Sequence, residues 1–213
     1  MNYHLLNLKE NYNFIVRSKK KKIINLNTEY YHISRSHSYM PSPEIYEKEY
    51  RFWPWGKLVN LVAGWIESNA QKLDVVVDYM CGTGYLLNEI ASRRKDLKIS
   101  GCSITPTFIE YAKKAYPRID VVLQDAFEYK PKLLPDIVIC TGGLHHLKRT
   151  LQPKFLEKIA SELSTGKLFL LGEELIKHYN NENERRIAVI EMVETLISYV
   201  ERQKAPREVV QVA

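Results

Sequence analysis

From residue 73 onward, short apolar runs alternate with amphipathic stretches. The runs at 73–79, 97–102, 119–123, 136–140 and 167–171 are rich in Val, Ile and Leu. Between them, 85–94, 106–116 and 152–163 carry apolar residues at helical spacing. Continuous apolar strands alternating with helices predict a parallel sheet covered on both faces. The expected fold class is therefore α/β, a Rossmann-like doubly wound, mostly parallel sheet whose ligand cleft lies at the carboxyl ends of the strands.

The flanks differ from this core. Residues 55–69 place Leu58, Leu61, Val62, Trp65 and Ile66 at helical spacing, and 44–50 reads as a helix with Ser42 as its cap and Pro43 in its first turn. Residues 1–42 show no firm periodicity and read as an irregular arm. The stretch 183–203 is a helix with Ile187, Ile190, Val193, Leu196, Ile197 and Val200 along one side. After Pro206, Val209-Val210-Gln211-Val212 is either a short strand or the start of another helix. The domain reading is an N-terminal arm with lid helices over 1–54, an α/β core over 55–175 and a C-terminal helical segment over 176–213.

Composition narrows the class. The 213 residues suit one domain, and an apolar fraction of 45% with mixed charges fits a globular chain. The longest apolar run, 58–66, is too short to cross a bilayer. The N-terminus lacks the basic-then-apolar order of a secretory signal, and three cysteines with no CxxC pair fit a reducing, cytoplasmic setting. The net charge of +6 owes much to segments such as the four lysines at 19–22, which read as a solvated face or arm. The first fifty residues also hold Tyr3, Tyr12, Tyr30, Tyr31, Tyr39, Tyr46 and Tyr50. Basic and aromatic residues together fit either a nucleic-acid surface or a lid over a small-molecule cleft.

The chemistry concentrates in Val75-Val76-Val77-Asp78-Tyr79-Met80-Cys81-Gly82-Thr83-Gly84-Tyr85. A buried strand ends in an acid, and a glycine turn then opens a helix. Gly82 and Gly84 let bare backbone approach a ligand. The acid disfavours a pyrophosphate and favours a cationic group. The turn also lacks the third glycine of G-x-G-x-x-G, which argues against a nicotinamide dehydrogenase.

Four segments together resemble the core of the class I S-adenosylmethionine-dependent methyltransferases. Residues 78–84 resemble the family's glycine-rich first motif. Residues 99–105 resemble the end of its second strand, and Gln124-Asp125-Ala126-Phe127 its adenine-contacting turn. Residues 136–147 resemble its fourth strand and following loop. The resemblance implies S-adenosylmethionine as cofactor, bound by Asp78, Met80, Cys81, Gly82, Gly84, Ser103, Asp125, Ala126 and Thr141. Asp78 would attract the ammonium, directly or through water. Asp125 would accept from the adenine amino group, while the Ala126 or Phe127 amide donates to a ring nitrogen. Two positions depart from the family: Met80 stands where its first glycine usually is, and Ser103 where an acid usually grips both ribose hydroxyls.

His145 and His146, just past the fourth strand, are the catalytic candidates, as a general base or as pocket walls. Glu173 and Glu174 end the fifth strand, where acceptor-binding residues can sit. Cys81, Cys102 and Cys140 match no short zinc motif and read as buried thiols, so no metal is expected. The loop Cys140-Thr141-Gly142-Gly143 does not resemble the N/D-P-P-Y/F loop of many nucleobase amine methylases, which lowers the case for nucleic acid. Methyl transfer to a small-molecule acceptor is the leading reading. A non-methylating protein of the same fold, or an RNA methyltransferase, are the alternatives. The family's sheet usually ends in an antiparallel hairpin that the C-terminal part here does not supply. Either the chain is truncated or a partner chain, as in a homo-oligomer, completes the sheet.

Overall fold

The computed structural model describes residues 5–8, 12–16 and 41–210. The lysine run at 19–22, the tyrosines at 3, 30, 31 and 39, and the last three residues of the predicted tail lie outside the described residues. Along the chain come β1 (Leu5–Leu8), β2 (Tyr12–Val16), α1 (Pro43–Phe52), α2 (Trp55–Asn69), β3 (Val75–Asp78), α3 (Tyr85–Arg93), β4 (Lys98–Ser103) and α4 (Pro106–Ala115). Then follow β5 (Asp120–Leu123), β6 (Ile137–Thr141), a 3-10 turn (Leu144–His146), α5 (Gln152–Glu162), β7 (Leu168–Glu174), α6 (Glu182–Arg202) and α7 (Arg207–Val210).

The sheet runs in the order β1-β2-β7-β6-β3-β4-β5. The five strands from β7 to β5 pair in parallel, as their unbroken apolar character predicts. Alternate residues feed opposite faces. Val76, Ile137 and Ile139 join α2, α3 and α4 in one apolar cluster, through Val62, Ile66, Leu87, Ile90, Ile109 and Ala112. Val77, Val138 and Cys140 join Phe155 and Ile159 of α5 in a second. This period of two sends Asp78 to the first face, beside Val76, and Tyr79 to the second.

Local chemistry fixes where the helices start. Ser42 caps α1, its Oγ accepting from the Ile45 N–H at 3.4 Å, with Pro43 next in line. Proline also lies in the first turns of α4 and α5. Gly84, at φ +77°, turns the chain into α3. Among the described residues no helix is long and apolar enough to cross a membrane.

The N-terminal arm, read from the sequence as irregular with short helical or extended pieces, supplies two short strands. β1 and β2 pair antiparallel, and β2 lies antiparallel against β7, Phe14 facing Gly172 and Ile15 facing Leu171. The hairpin that continues the sheet past its fifth parallel strand thus comes from the front of this chain. The physical reason is the hydrogen-bonding edge of β7, which any short extended segment can satisfy without a long apolar signature. At the other end, Arg207–Val210 forms one helical turn, not a strand. Its Val209 packs with Val200 of α6 and Trp53 in a third, smaller cluster.

The first cluster's contribution is measurable. Ile139→Ala empties a fully buried site in the central strand pair. It is expected to lower the unfolding free energy by about 2–5 kcal/mol. A urea melt should show a lower midpoint at unchanged slope; a loss below about 1 kcal/mol would contradict this packing.

Candidate cofactor and methyl-transfer site

The chain leaves β3 in one direction, to β4 and β5, and then returns on β3's other side as β6 and β7. The carboxyl end of β3 is therefore the switch point where an open α/β sheet has its crevice. Asp78 ends that strand. It is 2% exposed, and its one hydrogen bond among the described residues comes from the Met80 N–H at 3.1 Å. Burial pushes its pKa from the ordinary carboxylate value up to about 7, and the Met80 hydrogen bond only partly offsets this.

The glycine turn is built tightly around this acid. The Cys81 N–H donates to the Cys102 carbonyl at 2.9 Å and the Gly84 N–H to the Cys81 carbonyl at 2.8 Å. Gly82 and Gly84 both have positive φ, +54° and +77°. A Cβ on Gly84 would also come within 2.7 Å of Ile119 Cδ1. Gly101 of β4 is a further close approach, since a Cβ there would lie 2.8 Å from the Asp78 carbonyl oxygen. Met80 does not lie over the glycines. Its Cβ and Sδ stand 2.8 Å from where a Cβ on Gly143 would be, and it packs on the second cluster. The residue facing Gly82 is Tyr46 of α1, whose Cε1 is 3.7 Å from the position a Cβ would take.

α1 roofs the turn. Tyr50 stacks on Tyr85 at 4.6 Å, and Tyr46 packs on Phe108 at 4.9 Å. Burial first, then the neighbouring Tyr46, Asp78 and Glu49, push the Tyr50 phenol well above its ordinary value, so it stays neutral. Glu47 anchors the roof by accepting from the Tyr111 hydroxyl at 2.9 Å and the Tyr116 hydroxyl at 2.7 Å. The tyrosine-rich composition pointed to a lid, but not to which tyrosines sit in it.

The tips of β4 and β5 form the next part of the cleft. Ser103 is nearly buried, its Oγ accepting from the Thr105 N–H at 3.3 Å, and it pairs in register with Leu123. Ile104 and Leu123 are 58% and 51% exposed, two apolar side chains left open at adjacent strand ends. Sequence reasoning missed both; the signal was an apolar residue at the end of β5 and one directly beyond β4. Asp125 is exposed and accepts from the Phe127 N–H at 2.7 Å, an Asx turn. That occupies the Phe127 amide, so of the two amides expected to meet a base, Ala126 is the one left.

On the other side, Thr141 ends β6, and Gly142 turns at φ +60° beneath Trp55. His145 and His146 follow in the 3-10 turn with ring centroids 4.1 Å apart. Glu173 of β7 reaches this turn. Its Oε1 accepts from the N–H groups of Gly143 (2.9 Å) and Leu144 (2.6 Å), and its Oε2 is 2.8 Å from His145 Nδ1. The structure thus separates the two histidines: His145 is half-buried and held by a carboxylate, and His146 is exposed. Cys81, Cys102 and Cys140 are buried, and burial raises all three thiols far above their ordinary value. They are unreactive as nucleophiles. Among the described residues no group of three or more His, Cys, Asp or Glu side chains is placed to hold a metal ion.

Comparison with known proteins agrees with this geometry. Residues 76–166 match the family described as "Methyltransferase domain". A trans-aconitate 2-methyltransferase from Methylobacterium radiotolerans is 30% identical over 88 residues, which span 40% of this chain and 34% of that protein. The plantazolicin methyltransferase BpumL, crystallised with a desmethyl substrate analogue and SAH, superposes with a TM-score of 0.56 at 13% identity. That match covers 79% of this chain and 60% of BpumL. CalS10, an amino pentose methyltransferase from Micromonospora echinaspora solved with SAM, gives a TM-score of 0.52 at 21% identity, covering 63% of this chain and 60% of that one. At these identities the two structures speak for the fold alone. The matched segment, from β3 to just past α5, is thus similar to a methyltransferase domain. The chain spans about a third of the curated relative's length.

The buried acid makes stability depend on pH. Unfolded, Asp78 titrates near the ordinary carboxylate value; folded, near 7. Between those values the folded state holds a proton that the unfolded state has lost, so stability falls as pH rises from about 4 to about 7. Asp78→Asn keeps an acceptor for the Met80 N–H and removes the charge. It is expected to raise stability by roughly 1–3 kcal/mol at pH 8 and to change little at pH 4. Urea melts at the two pH values check this; an equal loss at both would refute it.

Proposed function

We propose that this chain transfers the methyl group of S-adenosylmethionine to a small-molecule acceptor. The observation that carries the proposal is Asp78: a carboxylate out of water at the sheet's switch point, with no cationic partner in contact among the described residues, beside two glycines with positive φ. A cationic amino-acid end supplies the missing charge. The residues present fit the rest of such a ligand. Gly82 and Gly84 offer backbone without Cβ atoms. Ser103 offers one hydroxyl to the ribose. The second Asp125 oxygen and the Ala126 amide are set for the amino and ring nitrogens of adenine. Ile104 and Leu123 supply apolar surface for its faces. Met80 packs toward Gly143, so its thioether leaves the glycine side open.

When bound, the cofactor supplies a methyl carbon made electrophilic by a positive sulfur. The chain's own part is to hold and enclose. Asp78 fixes the amino-acid end, the roof of Tyr46 and Tyr50 keeps water from it, and the turn after β6 forms the wall on the acceptor's side. A small acceptor is supported by the loop Cys140-Thr141-Gly142-Gly143 and by the names of the relatives, which act on a small acid, an amino pentose and a natural product. A second reading, a non-methylating protein on the same fold, draws on Ser103. Its single hydroxyl already serves the Thr105 amide, and no carboxylate stands at the tip of β4.

Calorimetry with S-adenosylmethionine and with its demethylated product tests the proposal. Both should bind, and Asp78→Asn should weaken binding about 10- to 100-fold through loss of a charge-assisted contact. The ammonium needs the ionised acid, so affinity should fall about tenfold per pH unit below 7 and level off above it. No heat at millimolar ligand, or an unchanged affinity in the variant, would reject the cofactor site. Cofactor binding without transfer to any metabolite of a cell extract would favour the second reading.

A further inference from the structure

The amino end of the parallel sheet, opposite the cleft, carries an apolar patch that methyl transfer leaves unused. Leu73 precedes β3, and Leu133-Leu134 precede β6, the strand paired with it. The three side chains are 58%, 51% and 75% exposed. Lys132 Nζ meets Asp120 at the start of β5 at 2.7 Å, so the loop with the two leucines spans from β5 to β6. Pro131 and Pro135 brace that loop, and Pro135 is buried. Leu73 is held outward against its own preference. Its φ is +68°, a left-handed conformation that a bulky side chain avoids. The surroundings impose it. Arg94 donates to the carbonyls of Glu67 (3.1 Å), Ala70 (2.9 Å) and Gln71 (3.2 Å), and to Asp96 at 2.8 Å. Asp96 accepts from the Leu73 N–H, and Asp74 from the Gln71 N–H at 2.7 Å. Strained backbone persists only where its neighbours over-determine it, and such places cluster at functional sites. Here the hydrogen bonds fix a leucine in water.

Positive charge surrounds the leucines. The segments leading into the five parallel strands, 71–74, 94–98, 117–120, 130–136 and 164–167, hold eight Lys or Arg and four Asp. The acids are engaged: Asp74 and Asp96 as above, Asp120 with Lys132, and Asp136 with Lys167 and the Val75 N–H. Lys72, Lys95, Lys98 and Lys130 are exposed. Lys72 adjoins Leu73, and Lys98 lies beside Val75 in register. These segments contain no aromatic residue. Their composition selects the partner. Lysine is depleted and aromatic residues are enriched where proteins meet proteins, and unpaired bases need aromatic faces to stack on. Anionic headgroups above hydrocarbon suit both parts of the patch, the charge and the leucines.

We propose that the amino end of the sheet docks on an anionic lipid surface, with Leu73, Leu133 and Leu134 below the headgroups and the lysines level with them. Each signal alone binds weakly, and the two together hold the chain reversibly. The cleft, at the carboxyl ends of the same strands, then faces water. The inference stands apart from methyl transfer, because it uses the other end of the sheet.

Flotation of the full chain with vesicles tests this, using phosphatidylcholine alone and an equal mixture with phosphatidylserine. The chain should float with the mixed vesicles and not with phosphatidylcholine alone. Raising salt from about 0.1 M to about 1 M should weaken the binding. Leu133→Ser with Leu134→Ser should lower vesicle affinity about 10- to 100-fold. Lys72→Ala with Lys98→Ala should lower it about 10- to 30-fold. Leu73→Asn separates docking from folding. Asparagine suits a positive φ, so this variant should unfold at a higher urea concentration while binding vesicles about tenfold less. Absence of flotation with the mixed vesicles would overturn the proposal, and the wild-type chain decides this alone. Vesicle binding unchanged in the folded leucine variants would overturn it too, since a plain polyanion effect, including one from the lysine run at 19–22, gives that result. Self-association that the leucine substitutions abolish, without vesicle binding, would assign the patch to a second copy and reject the lipid.

Discussion

A carboxylate held out of water without a compensating charge is costly, and the structure keeps one, Asp78, at the centre of its cleft. Burial there disfavours the ionised form enough to move its titration to about 7. Its surroundings follow from that position. The strand must be apolar to bury both faces, yet it must end in an acid. The turn beyond it must be glycine to bring main chain close. Gly101 on the neighbouring strand must lack a side chain so that β4 can close on the Asp78 carbonyl. Taking away any of these leaves either an acid that water reaches or a cleft with no charge in it.

The roof over this acid is fixed by polar contacts as much as by packing. α1 reaches the sheet region through aromatic pairs, Tyr50 on Tyr85 and Tyr46 on Phe108, and its outward Glu47 is claimed by two tyrosine hydroxyls from the α4 side. Aromatic contacts exclude water while tolerating small shifts, whereas the Glu47 hydrogen bonds set orientation. Tyr46 lies over Gly82, so the helix and the glycine turn pack as one unit.

Much of the core was legible in the sequence because its signals are local. Val75-Val76-Val77-Asp78 ends a strand where the acid interrupts the apolar run, and Gly82 and Gly84 occupy the positive-φ positions that the turn requires. The alternation from residue 73 to 171 led to the parallel sheet with boundaries shifted by at most three residues. What escaped depends on distant partners. β1 and β2 are four and five residues long; β2 is a strand because it pairs with the edge of β7, and β1 because it pairs with β2. Tyr46 meets Gly82 only once α1 is packed. Glu173 and His145 could each be placed near a strand tip, but their meeting follows from the parallel register of β6 and β7, which puts Thr141 beside Gly172. The Asx turn of Asp125 shows the reverse: a short-range bond open to an aspartate from its own sequence neighbours.

The two buried acids divide the work of the site in a way their hydrogen bonds explain. Among the described residues Glu173 has three partners, so the turn after β6 is held before any ligand arrives. Asp78 has one among them, which offsets its desolvation only in part. A fully satisfied carboxylate in Asp78's place would bind a cation weakly, because the ligand would only exchange one set of partners for another. An unsatisfied one in Glu173's place would leave the turn after β6 without these anchors. The difference in partner number therefore separates an acid at the tip of β3 that is still open to a charged partner from an acid on β7, two strands away, that holds a turn.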